Sequence, residues 1–284
     1  MLNARLITLF LMISTLSGCV TPPATDQRSQ TLISASREAA LGEEIYREIL
    51  KKEKISQDLQ LIAIVERVGQ QIAAVSPMPH LNWEFKLIES GRQKAFVLPG
   101  GKVIIYTGLL PVCANEAGLA AVMGHLAAHT FARHGAQRMP QTVHLTGVPA
   151  KDSVSLSDPQ NREAIMSALG AGSAVGATWP FSPDNELEAD EIGLNLMSQA
   201  GYDPREAQRF WARFIRMKQG NQIPEILSTH PMDATRIEGI RRLLPKVLRV
   251  YKSNPLQHDL GQSFLILLNQ RKFNPKPASP VPGP

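Results

Sequence analysis

The chain has 284 residues, of which 43% are apolar and 19% charged, with a formal net charge of +5. That balance excludes an intrinsically disordered chain, and the length allows one large domain or two small ones. The cations are scattered apart from Lys51–Lys52 and Arg241–Arg242, and no aromatic stripe is interleaved with them, so nucleic acid is not an expected partner.

The first segment reads as a leader. Arg5 supplies a positive start, and Leu6 to Leu16 form an apolar run too short to span a bilayer comfortably. Leu16-Ser17-Gly18-Cys19 matches a bacterial lipoprotein processing signal, with Cys19 as the lipidated first residue of the mature chain. A plain secretory peptide with an incidental cysteine is the alternative. Val20 rather than aspartate after the cysteine favours the outer membrane, by resemblance to Gram-negative sorting rules. With Cys19 taken by lipid, Cys113 is left alone, so no intrachain disulfide is expected and the fold rests on packing or metal. The expected organisation is a signal peptide over 1–18, a tether over 19–29, a main domain over 30–250, an extension over 251–272 and a disordered proline-rich tail over 273–284.

Helical spacing runs from about Gln30 to Lys52 and again from Asp58 to Val75, where Leu61, Val65, Val68 and Ile72 form one stripe. Pro77-Met78-Pro79 ends it. Trp83, Phe85 and Leu87 then alternate as a strand. Pro99-Gly100-Gly101 is the expected turn of a hairpin between Ala95–Leu98 and Lys102–Thr107. Asn115 is placed to N-cap a helix running to about Arg133 and closed by His134-Gly135. Ala168 to Ala177 is small-residue rich and reads as a tightly packed helix or a loop. Ser182-Pro183 opens a further helix, and Asp203-Pro204-Arg205-Glu206 reads as a capping box. Ala234 to about Arg249 is the last main helix. The sum is an α+β chain, mostly helical, with a small sheet.

His125-Leu126-Ala127-Ala128-His129 puts two imidazoles one turn apart on one helix face, which suits two ligands of a tetrahedral zinc site. Two solvent-facing histidines are the alternative, but the surrounding alanines and Val122 mark the helix as buried, where histidines need partners. Glu186 and Asp190 repeat the i, i+4 spacing, as a carboxylate ligand and a carboxylate orienting a histidine would. They read equally as acids complementing a helix dipole, and Glu188 and Glu191 are expected to do only that.

The ordered set Ala95-Phe96, Pro99-Gly100-Gly101, Tyr106-Thr107-Gly108-Leu109-Leu110, Asn115-Glu116, His125 and His129, Arg133-His134-Gly135, Glu186 with Ala189-Asp190, and Ser228-Thr229-His230-Pro231 resembles zinc metallopeptidase family forty-eight. That family holds gluzincins such as the HtpX-like, CaaX prenyl, Oma-type and BepA- or LoiP-like envelope proteases. The resemblance runs from about Ala39 to Leu244 and is strongest to the lipoprotein branch. It implies one zinc ion held by His125, His129 and Glu186, with Asp190 behind them and His230 as a gating histidine. It also implies that a peptide pairs with the edge Lys94, Ala95, Phe96, Val97 and Leu98 before Pro99, Gly100 and Gly101.

One departure matters. The family's general base follows the first histidine as glutamate, and here Leu126 stands there. Glu116, nine residues earlier, is about 13 Å up the helix and cannot replace it. Lys94 and Pro183 also stand where relatives often carry asparagine and arginine. The expectation is an outer-membrane, periplasm-facing, metalloendopeptidase-like lipoprotein in envelope protein quality control. It would bind peptides or envelope proteins while its proteolysis is impaired. The alternative is an active zinc metalloendopeptidase with a non-standard base.

Overall fold

The computed structural model describes residues 33–145, 159–171, 180–219, 225–258 and 260–273. In chain order they form α1 (Ala35–Lys52), α2 (Leu59–Ala74), β1 (Glu84–Ile88), β2 (Ala95–Leu98), β3 (Lys102–Tyr106), α3 (Leu110–Cys113), α4 (Glu116–Phe131) and α5 (His134–Leu145). There follow α6 (Pro159–Ala168), α7 (Pro183–Gln199), α8 (Arg205–Gln219), α9 (Ile226–Thr229), α10 (Ala234–Ser253) and α11 (Phe264–Phe273). The protein is an α+β chain, mostly helical, with one three-stranded sheet among the described residues.

Side chains of a strand alternate between faces, and both faces of this sheet are buried. Phe85, Leu87, Val97, Val103 and Ile105 join the core made with α2, α4, α7 and α8. Ile88, Phe96, Leu98, Ile104 and Tyr106 join a second core with α1 and α6. Strand order is β1-β3-β2. The β2–β3 hairpin is antiparallel, with Ala95 opposite Ile105, and turns through Gly100 and Gly101 at φ +86° and +83°, where only glycine is unstrained. The β1–β3 pair is parallel, with Glu84 opposite Lys102. This leaves β2 at an edge of the sheet.

Asn115 caps α4 by accepting from the Gly118 amide at 2.8 Å. From Glu116 to His129 every residue of α4 is buried, as expected of a helix apolar on all sides. It crosses α7 at two glycines: a Cβ on Gly193 would lie 2.7 Å from the His125 amide nitrogen, and one on Gly124 would lie 2.8 Å from the Gly193 carbonyl. Close approach of these backbones brings the Glu186–Asp190 turn of α7 alongside His125.

Several boundaries differ from the sequence reading. α4 ends at Phe131, and Arg133 makes the break, in the left-handed region at φ 54°. His134 therefore opens α5 instead of closing α4. Asp203 accepts from the Arg205 amide at 2.9 Å, but Glu206 does not complete a capping box. Its carboxylate turns to Asn115, Arg209 and Arg213, because those donors surround it in a buried position. α10 runs on to Ser253 despite Pro245. The small-residue stretch is described only to Ala171, at the end of α6, and 172–177 lie outside the described residues, as do 1–32 and 274–284. Phe264 of α11 is fully buried in the larger core, and its amide donates to the Ala114 carbonyl at 2.9 Å.

Candidate metal centre

Four buried side chains converge from three elements: His125 and His129 on α4, Glu186 on α7, and His230 just after α9. One ligand atom from each lies within 4.8 Å of all the others. His125 Nε2 stands 3.2 Å from His129 Nε2, 3.3 Å from His230 Nδ1 and 3.3 Å from Glu186 Oε2. Glu186 Oε1 is 2.9 Å from His230 Nδ1 and 3.5 Å from His129 Nε2. The edge of a tetrahedron centred on zinc with bonds of about 2.0–2.1 Å is about 3.3–3.4 Å. The donors therefore stand at metal-ligand separations.

Direction supports the same conclusion. Glu186 Oε2 lies 2.6 Å from Arg236 Nη1, yet among the described residues neither that nitrogen nor another group gives the oxygen a well-aimed hydrogen bond. A buried carboxylate oxygen left so costs free energy that a cation would recover. Glu186 and Asp190 against Arg236 also leave one net negative charge among the three. The residues present fit one metal ion.

Behind these four lies a second layer. Asp190 Oδ1 is 3.0 Å from His125 Nδ1, close enough to pair but not aligned as a hydrogen bond. Arg236 donates to both Asp190 oxygens at 2.8 and 2.7 Å and to the Pro231 carbonyl at 2.7 Å, with its guanidinium 4.6 Å over the Trp211 ring. On the other side, His134 Nδ1 is 2.9 Å from His129 Nδ1, and His134 Nε2 is 3.1 Å from Glu188 Oε2. Glu188 is thus more than a dipole-compensating acid. It was missed, with His134, because the two are far apart in sequence. Arg236 did leave a signal: it shares a helix face with Ile240 and Val247, where a buried stripe should be apolar.

Burial lowers the pKa of His129, His134 and His230. Burial also opposes charge on His125, but Asp190 and Glu186 outweigh it and raise its pKa. Burial works to raise the Glu186 and Asp190 carboxyls. His230 and His125 hold the first, and Arg236 and His125 the second, below the usual range.

The centre opens on a cleft lined by Leu126, His129 and His230, by Phe96, Val97 and Pro99 from the β2 edge, and by Glu38 of α1. Leu126 is 1% exposed. Lys94 is buried, its ammonium 3.3 Å from the Ala171 carbonyl and 3.5 Å from Glu225. Of the expected site residues, only Cys19 lies outside the described ones.

Residues 60–244 match the sequence profile of peptidase family M48. The chain belongs to that family. M48 enzymes are zinc metallopeptidases, which agrees with the donor set above. This M48 chain is 34% identical over 251 residues to the mitochondrial metalloendopeptidase OMA1 of Schizosaccharomyces pombe, covering 85% of the chain and 72% of the relative. It is 27% identical over 227 residues to the beta-barrel assembly-enhancing protease of Escherichia coli, covering 78% of the chain and 46% of the relative. The bovine metalloendopeptidase OMA1 is 30% identical over 227 residues, covering 77% and 43%.

Proposed function

We propose that this is an outer-membrane lipoprotein that binds peptides or envelope proteins through a zinc metallopeptidase domain whose hydrolysis is impaired. In this reading His125, His129 and Glu186 hold the metal, Asp190 orients His125, and His230 gates the remaining position. A client strand pairs with β2 along Lys94 to Leu98, up to the turn at Gly100 and Gly101. Zinc held there would polarise a peptide carbonyl and make water a better nucleophile. Peptide hydrolysis also needs a group that takes and returns protons. The observation that carries the proposal is the buried Leu126 on the cleft wall between the two α4 histidines, since it has neither lone pair nor proton to offer.

Restoring the carboxylate tests it. Leu126→Glu, at equal zinc occupancy and with a chelator control, is expected to hydrolyse an unfolded protein substrate at least about 10²-fold faster than the natural chain. Burying the new carboxylate costs about 1–3 kcal/mol of stability if it stays poorly paired. A natural chain that already matches the variant's rate overturns the impairment.

One observation favours the active alternative. Glu38 is buried, lines the same cleft as Leu126 and His129, and has its carboxyl pKa raised by burial against the pull of Arg133. If it serves as the non-standard base, natural-chain activity is substantial and Glu38→Gln abolishes it.

A further inference from the structure

We infer that His134 is a positioning residue for the metal centre, holding His129 in the one tautomer that can ligate, with Glu188 setting the direction of the chain. The inference rests on the reading that His129 is a ligand. His129 Nε2 faces the cluster, 3.2 Å from His125 Nε2, so a metal there needs the lone pair on Nε2 and the proton on Nδ1. Among the described residues, the hydrogen-bond partner of that Nδ1 is His134 Nδ1 at 2.9 Å. His134 can accept there only if its own proton sits on Nε2, which points at Glu188 Oε2, 3.1 Å away. A carboxylate accepts and does not donate. Glu188 therefore fixes the proton on His134 Nε2, and His134 in turn fixes the proton on His129 Nδ1.

Run in reverse, the chain fails at both ends. A proton on His134 Nδ1 would leave Glu188 with no hydrogen-bond donor from this ring. It would also drive the His129 proton to Nε2, into the metal position. The arrangement is rigid as well as directional. His134 is fully buried, and Phe181 lies 4.1 Å from the His129 ring. Arg133 turns the chain immediately before it, tied to Glu38 at 2.9 Å and to the Ile33 carbonyl at 3.1 Å. The two α4 histidines thus receive different supports from one helix. Asp190 on the inner face of α7 reaches His125 directly. Glu188, two residues earlier and so on another face, reaches His129 only through an interposed imidazole.

The test is zinc affinity, measured by competition with a chromogenic chelator on apo protein, with a urea melt of each apo variant to establish folding. His134→Ala is expected to weaken zinc binding about 10- to 100-fold in a folded protein. His134→Asn, whose amide oxygen can stand where Nδ1 stood, should recover most of that loss. Glu188→Gln, which keeps shape but can present a donor, should weaken binding too. A purely structural role would lower the urea midpoint and leave zinc affinity alone. Unchanged affinity in folded His134→Ala, or no recovery in folded His134→Asn, overturns the inference. If the alanine variant does not fold, the asparagine and glutamine variants decide, and wild-type affinity in Glu188→Gln counts against it. Failure of the underlying reading looks different: His129→Ala would then bind zinc as well as the natural protein.

Discussion

Arg236 is a cation almost without solvent, and among the described residues it is the only arginine within bonding distance of both buried carboxylates of the centre. Burial works against its charge, but Asp190 and Glu186 outweigh it and raise its pKa. Removing one partner of such a group leaves the others buried and unpaired, at a cost of about 3–5 kcal/mol. Arg236→Met keeps most of the volume and is expected to lower apo-protein stability by that amount in urea melts. A loss under about 1 kcal/mol would mean that the carboxylates are satisfied without it. At this scale the sequence was informative wherever spacing along one helix does the work. His125 with His129, and Glu186 with Asp190, share faces because i and i+4 must. It was silent on His134 and Glu188, because a contact between two helices leaves no local period. Glu188 even sits off the informative face of its own helix, which is why dipole compensation looked sufficient.

The elements were readable in proportion to how local their causes are. Asn115 and Ser182 announce α4 and α7, and the glycine pair announces the hairpin. The parallel pairing of β1 with β3 has no turn to announce it. Nor does the start of α5, which follows from a left-handed arginine held by a carboxylate almost a hundred residues upstream. One tie between elements is testable by pH. Lys102, buried on β3, donates to Glu84 of β1 at 2.5 Å, while Tyr46 of α1 donates to the same carboxylate at 3.1 Å. The Lys102 hydrogen bond, opposed by burial, holds the Glu84 carboxyl below its ordinary 4.5. A carboxyl depressed in the folded state stabilises fully above its unfolded pKa, and that contribution is lost as pH falls through the folded value. Glu84→Gln should therefore melt below the natural protein at pH 7. The gap in Tm should narrow steadily below pH 4.5. A gap independent of pH would mean that Glu84 acts by packing, without its charge.

At the scale of the whole molecule, the domain supplies the site and the first residues are proposed to supply the address. Among the described residues no helix is long and apolar enough to cross a membrane. Leu6 to Leu16 would be a short hydrophobic stretch of a leader, and Leu16-Ser17-Gly18-Cys19 its processing site. One acyl chain gives only marginal, reversible membrane binding, whereas several on one cysteine anchor stably, each buried methylene adding about 0.8 kcal/mol. The tether from Cys19 onward would then hold the cleft near the membrane surface, within reach of envelope proteins. Cys19→Ser removes the thiol that carries the first lipid. The variant is expected to keep residues 1–18, to incorporate no labelled palmitate and to be absent from the outer-membrane fraction, while its domain folds and binds zinc as before. Zinc binding is the control that separates mislocation from misfolding. Unchanged processing together with unchanged membrane association would refute the anchor, and would leave the metal centre and the proposed impairment of hydrolysis to be judged on their own tests.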